Sequence, residues 1–339
     1  MSIPRTSYRP AWWIPGAHLK TMWGKLARRR PQVALRVERW EVPDGDFLDL
    51  HRLAARDDGP SVPRVLMLHG LEGSPDSHYA RGMLQQARLR GWAADALVFR
   101  SCGAEPNRLA RSYHSGETTD LDFVVRRLIE AEPDRLLLLA GVSLGGNVLL
   151  KWLGERGDDV PSAVRAAAAV SVPYDLARSA RRIDRGFSKV YQANFLRTLR
   201  RKAHAKRERF PGILDAELID RARSFYDFDD CVTARLHGFT GADDYYARSS
   251  SLGFLPRIRV PTLLLSAVDD PFLPSEVLDD VRAIARDNSN LCIEFPKRGG
   301  HVGFISGLVP WKPDYYAERR IMEFLAESMR DEGAPLRAG

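Results

Sequence analysis

The sequence predicts an α/β protein with a mostly parallel central sheet and helices on both faces. Short apolar runs alternate with amphipathic stretches along most of the chain, which is the pattern of βαβ units. The run at 136–140 ends directly before Gly-Val-Ser-Leu-Gly-Gly at 141–146, which indicates a strand, a sharp turn and a helix. One long interval contains no buried strand. We therefore expect a core of residues 1–173 and 257–339, including an amino-terminal arm at 1–32, and a helical insertion at 174–256.

Composition is that of a globular protein, with 339 residues, 44% hydrophobic and 28% charged. No apolar run approaches the ~18 residues of a membrane span, and no secretory signal is recognisable, so we expect a cytoplasmic location. The three cysteines, Cys102, Cys231 and Cys292, are widely separated and odd in number. Since no HExxH or CxxC spacing occurs either, we expect no metal and no cofactor.

The chain opens with four prolines in the first 32 residues, which predicts an irregular arm. Alternation at 35–38 and at 47–53, around the turn Pro43-Asp-Gly-Asp46, predicts a β-hairpin. The remaining predicted strands are 64–70, 93–99, 136–140, 166–172, 262–267 and 291–295, and the remaining predicted helices are 79–90, 119–131, 147–153 and 317–328.

The helical insertion, residues 174–256, is basic and has an aromatic middle at 225–230. It follows a strand of a parallel sheet, so we expect it over the carboxyl edge, where ligands bind in open α/β folds. A lid at this position would shape a pocket and exclude water.

Positive charge is concentrated in one part of this insertion. Residues 175–212 hold twelve Lys or Arg and three Asp or Glu, a formal charge of +9 against +7 for the whole chain. Such a segment suits an anionic membrane surface, and the alternative is a solvated helix face. Trp12, Trp13 and Trp23 stand beside cations in the arm, which suits a membrane interface or an arm packed across the domain. No helix-turn-helix or zinc signature favours nucleic acid as a partner.

The most informative motif is the Gly-x-Ser-x-Gly turn around Ser143. A serine hydroxyl needs a neighbouring base, an orienting carboxylate behind that base, and donors for the oxyanion. On a strand–turn–helix of this kind, the acid and then the histidine are expected after the serine in the chain. The alternative is an ordinary Ser-Gly turn.

The candidate base is His301, in a glycine-rich loop after the last predicted strand. The candidate acid lies in Asp269-Asp-Pro-Phe272, after the strand at 262–267. Adjacent aspartates point in different directions, so only one can orient the imidazole; we favour Asp270 over Asp269, because of its spacing to Pro274. The expected oxyanion donors are the backbone amides of Leu144, next to the serine, and Leu71, in the glycine-containing loop at 69–74.

Together these segments resemble the YheT-like branch of the α/β-hydrolases, relatives of the animal ABHD-type lipases. The resemblance covers nearly the whole chain, and it implies the α/β-hydrolase fold, a charge relay of Ser143, Asp270 and His301, and hydrolysis of carboxylic esters, lipid-like ones included. The chain differs from the family pattern at Ser101-Cys102-Gly103, where glycine often comes first. We also expect no counterpart of the amino-terminal membrane helix of the animal relatives. The matching segments are Pro43-Asp-Gly-Asp-Phe-Leu-Asp-Leu50, His69-Gly-Leu-Glu-Gly-Ser74, Glu105-Pro-Asn-Arg108, Tyr113-His-Ser-Gly-Glu-Thr118, Gly141-Val-Ser-Leu-Gly-Gly-Asn147, Phe228-Asp-Asp230, Leu236-His-Gly-Phe239, Asp269-Asp-Pro-Phe272 and Gly299-Gly-His-Val-Gly-Phe304.

The sequence thus predicts a serine esterase or lipase that forms an acyl-enzyme on Ser143 and takes small-molecule or lipid-like esters. Two alternatives remain open. A thioesterase or acyltransferase could use the same nucleophile, and a binding protein could keep the fold without catalysis.

Overall fold

The computed structural model describes residues 7–56, 59 and 61–330. Its main feature is an eight-stranded sheet in the order β1-β2-β4-β3-β5-β6-β7-β8. β1 and β2 form the predicted hairpin, β2 also runs antiparallel to β4, and every other pairing is parallel. The predicted α/β fold is confirmed. The strands are β1 (Arg36–Glu41), β2 (Phe47–Leu53), β3 (Arg64–Leu68), β4 (Ala93–Val98), β5 (Leu137–Val142), β6 (Val164–Val170), β7 (Thr262–Leu265) and β8 (Leu291–Glu294), with a separate pair of β9 (Ile305–Ser306) and β10 (Asp314–Tyr315).

Helices cover both faces of the sheet. One face packs on α2 and α12 through Met83, Leu84, Ile321 and Leu325. The other face packs on α3, α4 and α11, where every residue from Leu144 to Gly154 is buried. The core strands are buried along their whole length because they are covered on both sides. The helices are α1 (Gly16–Leu26), α2 (His78–Leu89), α3 (Thr119–Ala131), α4 (Leu144–Arg156), α5 (Leu176–Ile183), α6 (Ser188–Arg209), α7 (Ala216–Arg221), α8 (Phe225–Phe228), α9 (Ala234–His237), α10 (Ala242–Ser249), α11 (Ser275–Asp287) and α12 (Tyr316–Arg330).

Helices α5 to α10 all lie between β6 and β7, in the region predicted as the helical insertion. They bury small apolar clusters of their own, around Ile219 and around Tyr245. The buried Asn147 of α4 joins them to the core: its side-chain amide donates to the carbonyls of Ser115 and Ser249, at 2.8 and 2.7 Å. Its oxygen accepts from the amide of Ser251 at 3.0 Å. The end of the insertion is therefore attached to the helix that follows Ser143.

The arm differs from the sequence prediction. An irregular segment was expected over 1–32, but Gly16–Leu26 forms α1 directly after Pro15. Proline suits the residue before a helix, and it does not interrupt the apolar spacing that follows. Tyr8, Ala11 and Ile14 are buried against the domain, whereas Trp12 is exposed. Residues 1–6 of the arm and residues 331–339 lie outside the described part.

The first strand also differs from its predicted bounds of 35–38, because it extends to Glu41 and buries Trp40. Among the helices within 7–330 that the structure describes, none combines the length and apolarity needed to cross a bilayer.

Candidate active site

Ser143 occupies the turn between β5 and α4 in a left-handed backbone conformation, with φ +53°. Such a conformation is uncommon for residues other than glycine, and it is found where a site holds the backbone in place. The flanking glycines permit the turn: a Cβ on Gly145 would lie 2.5 Å from the His69 carbonyl oxygen, and one on Gly141 2.5 Å from the Gly145 oxygen. The turn thus presents Ser143 at the carboxyl edge of the sheet.

His301 and Asp270 lie beside this serine. The Nε2 atom of His301 is 3.0 Å from Ser143 Oγ, and its Nδ1 atom is 2.8 Å from Asp270 Oδ2. Both His301 and Asp270 are buried, and the Phe272 ring packs on the imidazole with centroids 4.2 Å apart. The three side chains come from the loops after β5, β7 and β8, which meet at one edge of the parallel sheet.

The two adjacent aspartates have different partners. Asp269 Oδ1 accepts from the amides of Gly299 and Gly300, at 2.7 and 2.9 Å. Asp270 contacts the imidazole, and its other oxygen accepts from the Phe272 amide at 2.8 Å. Asp269 therefore holds the backbone of the histidine loop, while Asp270 contacts the ring itself.

The loop after β3 has three restrained amides around Leu71. The Gly70 amide donates to Tyr79 Oη at 2.8 Å, that of Glu72 donates to Tyr113 Oη at 2.9 Å, and that of Gly73 donates to the Gly70 carbonyl at 2.9 Å. Within the described residues, neither the Leu71 amide nor that of Leu144, the first residue of α4, donates to a protein acceptor. Both residues line the same cavity as Ser143, so both amides are available to a ligand there.

This cavity has a volume of about 440 Å³. Ser143 and His301 lie on its wall, and the helical insertion supplies most of its apolar lining. Its size is within the usual range for small-molecule sites, roughly 300–1,000 Å³. The apolar side chains from the insertion include Leu176, Ile183, Phe195, Leu199, Phe228 and Val232.

Two histidines and a lysine contribute polar atoms to the wall. Burial lowers the pKa of His114 to about 3 and that of His237 to about 4. The His237 ring, with its centroid 4.4 Å from that of His114, lowers the pKa of His114 further. Both imidazoles are therefore neutral at pH 7. Burial also lowers the pKa of Lys206 to about 8. Its ammonium group donates to the carbonyls of Leu109 and Arg111, at 3.4 and 3.2 Å.

Comparison with known proteins identifies the family of this chain. Residues 63–308 match the family model of the alpha/beta hydrolase fold. The Escherichia coli (strain K12) protein YheT, provisionally named an esterase, is 39% identical over 91% of this chain and 89% of its own length. The chain belongs to the YheT-like branch of the α/β-hydrolases. Phospholipase ABHD3 of Mus musculus, a more distant relative of this branch, is 28% identical over 97% of the chain and 80% of its own length.

Solved structures show the same fold. An esterase of Pyrococcus furiosus superposes with a TM-score of 0.59 and 18% identity, over 88% of this chain and 92% of that one. As a member of the YheT-like branch, the protein is a carboxylic ester hydrolase.

The structure brings together all five residues that the sequence singled out: Ser143, Asp270, His301, Leu71 and Leu144. Sequence reasoning missed Lys202, which lies on the cavity wall against Glu72 of the loop after β3. It also missed Tyr79 and Tyr113, whose hydroxyls hold that loop. No local signal marks Lys202 among the twelve basic residues of its segment, because its position depends on how α6 packs.

Proposed function

We propose that the protein hydrolyses carboxylic esters through an acyl-enzyme on Ser143, with His301 as general base and Asp270 as its orienting carboxylate. The observation that carries the proposal is the continuous hydrogen-bond chain from Asp270 through His301 to Ser143, at 2.8 and 3.0 Å, on the wall of an apolar cavity. These distances are within the reach that general-base catalysis requires.

In the first half-reaction Ser143 Oγ bonds to the acyl carbon and passes its proton to His301 Nε2. The carbonyl oxygen takes the negative charge, and the amides of Leu71 and Leu144 donate to it. The bond to the leaving alcohol then breaks, and His301 returns the proton to the alcohol oxygen. In the second half-reaction water attacks the acyl carbon by the same route, which releases the acid and restores Ser143.

For the substrate we propose a lipid-like or medium-chain acyl ester. The support is the lining of the cavity, where apolar side chains of α5, α6 and the α8–α9 region surround the space next to Ser143. Apolar surface of this kind stabilises an alkyl chain by about 0.8 kcal/mol per buried methylene. In this proposal the helical insertion, residues 174–256, acts as a lid that determines which chain lengths enter.

The test is an esterase panel of p-nitrophenyl esters graded from acetyl to palmitoyl, with Ser143→Ala alongside. We expect kcat/KM to rise with chain length beyond acetyl, and the variant to lose activity by roughly 10⁴-fold or more. Ser179→Ala is the matched control, since Ser179 also lines the cavity but its hydroxyl donates to the Asp175 carbonyl.

A fluorophosphonate probe should label the wild type and the Ser179 variant, and leave Ser143→Ala unlabelled. Equal activity of Ser143→Ala and wild type would overturn the proposed nucleophile. Faster turnover of acyl-coenzyme A thioesters than of the matched oxygen esters would instead assign the protein to the thioesterases.

A further inference from the structure

The solvent face of α1 is apolar where a surface helix is usually polar. Leu19, Met22 and Leu26 are spaced three and four residues apart, so they share one face of the helix. Leu19 is 49% and Leu26 73% exposed, and Met22 lines the cavity together with Thr21. The exposed apolar face of α1 therefore borders the cavity.

The beginning of α6 exposes a second pair of large apolar residues beside α1. Phe187 is 51% and Val190 57% exposed. The Phe187 ring meets the His18 ring of α1 edge-on, with centroids 4.8 Å apart, so the two elements are in contact. Tyr191, the residue after Val190, lines the cavity. We call Leu19, Leu26, Phe187 and Val190 the mouth patch.

Basic residues flank the mouth patch in the chain. Lys25 precedes Leu26, and Arg29 and Arg30 follow it; Arg182 and Arg185 precede Phe187. Lys25 and Arg30 also lie on the cavity wall. Among the residues that the structure describes, none of these five cations forms an ion pair. Arg182 lies close enough to α1 that, after burial, its charge is the second cause of the lowered pKa of His18. The patch is thus apolar at its centre and positively charged at its edge.

We propose that the mouth patch docks on an anionic lipid bilayer, with α1 and the start of α6 lying in the interface and the cavity facing the membrane. Apolar side chains that enter the acyl boundary, beside unpaired Lys and Arg that meet phosphate groups, are the combination that interfacial helices use. A second copy of this chain is a poorer occupant, because a symmetric contact would bring two positively charged edges together. This docking goes beyond the proposed ester hydrolysis and does not involve Ser143.

The test is flotation of the full chain, carrying Ser143→Ala to prevent lipid turnover, with two kinds of vesicle. We expect the protein to bind phosphatidylcholine vesicles that contain phosphatidylglycerol, and to bind vesicles of phosphatidylcholine alone several-fold more weakly. Added salt should weaken binding to the anionic vesicles. The double variant Leu26→Ser/Phe187→Ser should lose binding by roughly 10-fold or more, in proportion to the apolar surface removed.

Matched controls show whether a loss of binding is specific to the mouth patch or follows from replacing any exposed apolar residues by polar ones. Val37→Ser/Leu89→Ser removes two equally exposed apolar residues that lie on β1 and α2 outside the cavity wall, and it should bind like the parent. Arg29→Gln/Arg185→Gln should weaken binding to the anionic vesicles only. With Ser143 restored, the variants at positions 26 and 187 should keep wild-type turnover of p-nitrophenyl acetate, so that failure of docking is distinguishable from failure of catalysis.

Three results would overturn the proposal: no flotation with anionic vesicles at low salt, equal flotation of the mouth-patch variant and its control, or sedimentation as a dimer that Leu26→Ser/Phe187→Ser dissociates. The last result would assign the patch to a second copy of the chain.

Discussion

The ammonium group of Lys202 lies 2.7 Å from Glu72 Oε1 and joins α6 of the insertion to the loop after β3. The same carboxylate oxygen accepts from Tyr113 Oη at 2.9 Å, while the Glu72 amide donates to that hydroxyl. Glu72 itself has φ +54°, an uncommon conformation for its residue type. Since Leu71 precedes Glu72 directly, the position of its amide depends on a contact made by the insertion.

Lys202 is therefore expected to be a positioning residue for the proposed oxyanion site. Lys202→Met should lower kcat by about 10-fold and leave KM nearly unchanged, because the amide acts mainly on the transition state. Steady-state kinetics on a soluble ester measure kcat and KM separately. Binding of a trifluoromethyl ketone should weaken in parallel with the fall in kcat. Lys202→Arg should restore most activity, and Arg201→Met, an exposed neighbour on α6, is the control. A rise in KM alone would contradict this role.

The adjacent aspartates should differ sharply in their effect on activity. Asp270→Asn should lower kcat/KM by roughly 10³–10⁴-fold, because an amide no longer selects the imidazole tautomer that accepts the serine proton. Asp269→Asn should cost less than about 10-fold, since its amide oxygen can still accept from Gly299 and Gly300. The measurement is kcat/KM of both variants on one ester. Equal losses of kcat/KM would argue against Asp270 as the residue that orients His301.

A side chain at Gly145 should destabilise the protein. A Cβ there would lie 2.5 Å from the His69 carbonyl oxygen, so Gly145→Ala forces the turn of Ser143 away from β3. We expect the free energy of unfolding to fall by about 1–3 kcal/mol, as in other overpacked cores, and activity to fall with it. Urea denaturation measures the first and ester turnover the second. Gly253→Ala is the control, because a Cβ at that position meets no atom within 4 Å. Equal stability of the two variants would contradict the steric argument.

Acid should destabilise the protein through its buried histidines. Burial lowers the pKa of His69, His78 and His237 to about 4 each, from an ordinary value of 6.5. Between pH 6.5 and pH 4 the unfolded chain therefore binds protons that the folded chain does not. The contribution of these histidines to the free energy of unfolding is fully present above pH 6.5 and is lost as the pH falls toward 4. Each such histidine contributes a slope of about 1.4 kcal/mol per pH unit in that window.

Urea unfolding at a series of pH values between 7.5 and 4.5 measures this slope. His237→Leu should reduce the slope of the free energy of unfolding against pH by the contribution of one histidine. We choose His237 because it lies in the insertion and not in the central sheet. A free energy of unfolding that stays constant across the window would refute the prediction.

Local sequence patterns predicted most of the sheet. The strands of the main sheet are four to seven residues long, and the turn motif around Ser143 has six residues. Both can therefore be recognised from contiguous residues. The order serine, aspartate, histidine also pointed to His301, although 158 positions separate it from Ser143. The arm was predicted less well, because its four prolines concealed the apolar spacing of α1.

By itself the sequence determined the α/β fold, the turn that presents Ser143, and the loops that carry its expected partners. Only the tertiary structure decided which of Asp269 and Asp270 meets His301, that Lys202 faces Glu72, and that α1 places its apolar face beside the cavity. The physical reason is the range of the interactions. Periodicity and turns are properties of neighbours in the chain, whereas these contacts depend on how loops and helices distant in sequence pack around one edge of the sheet.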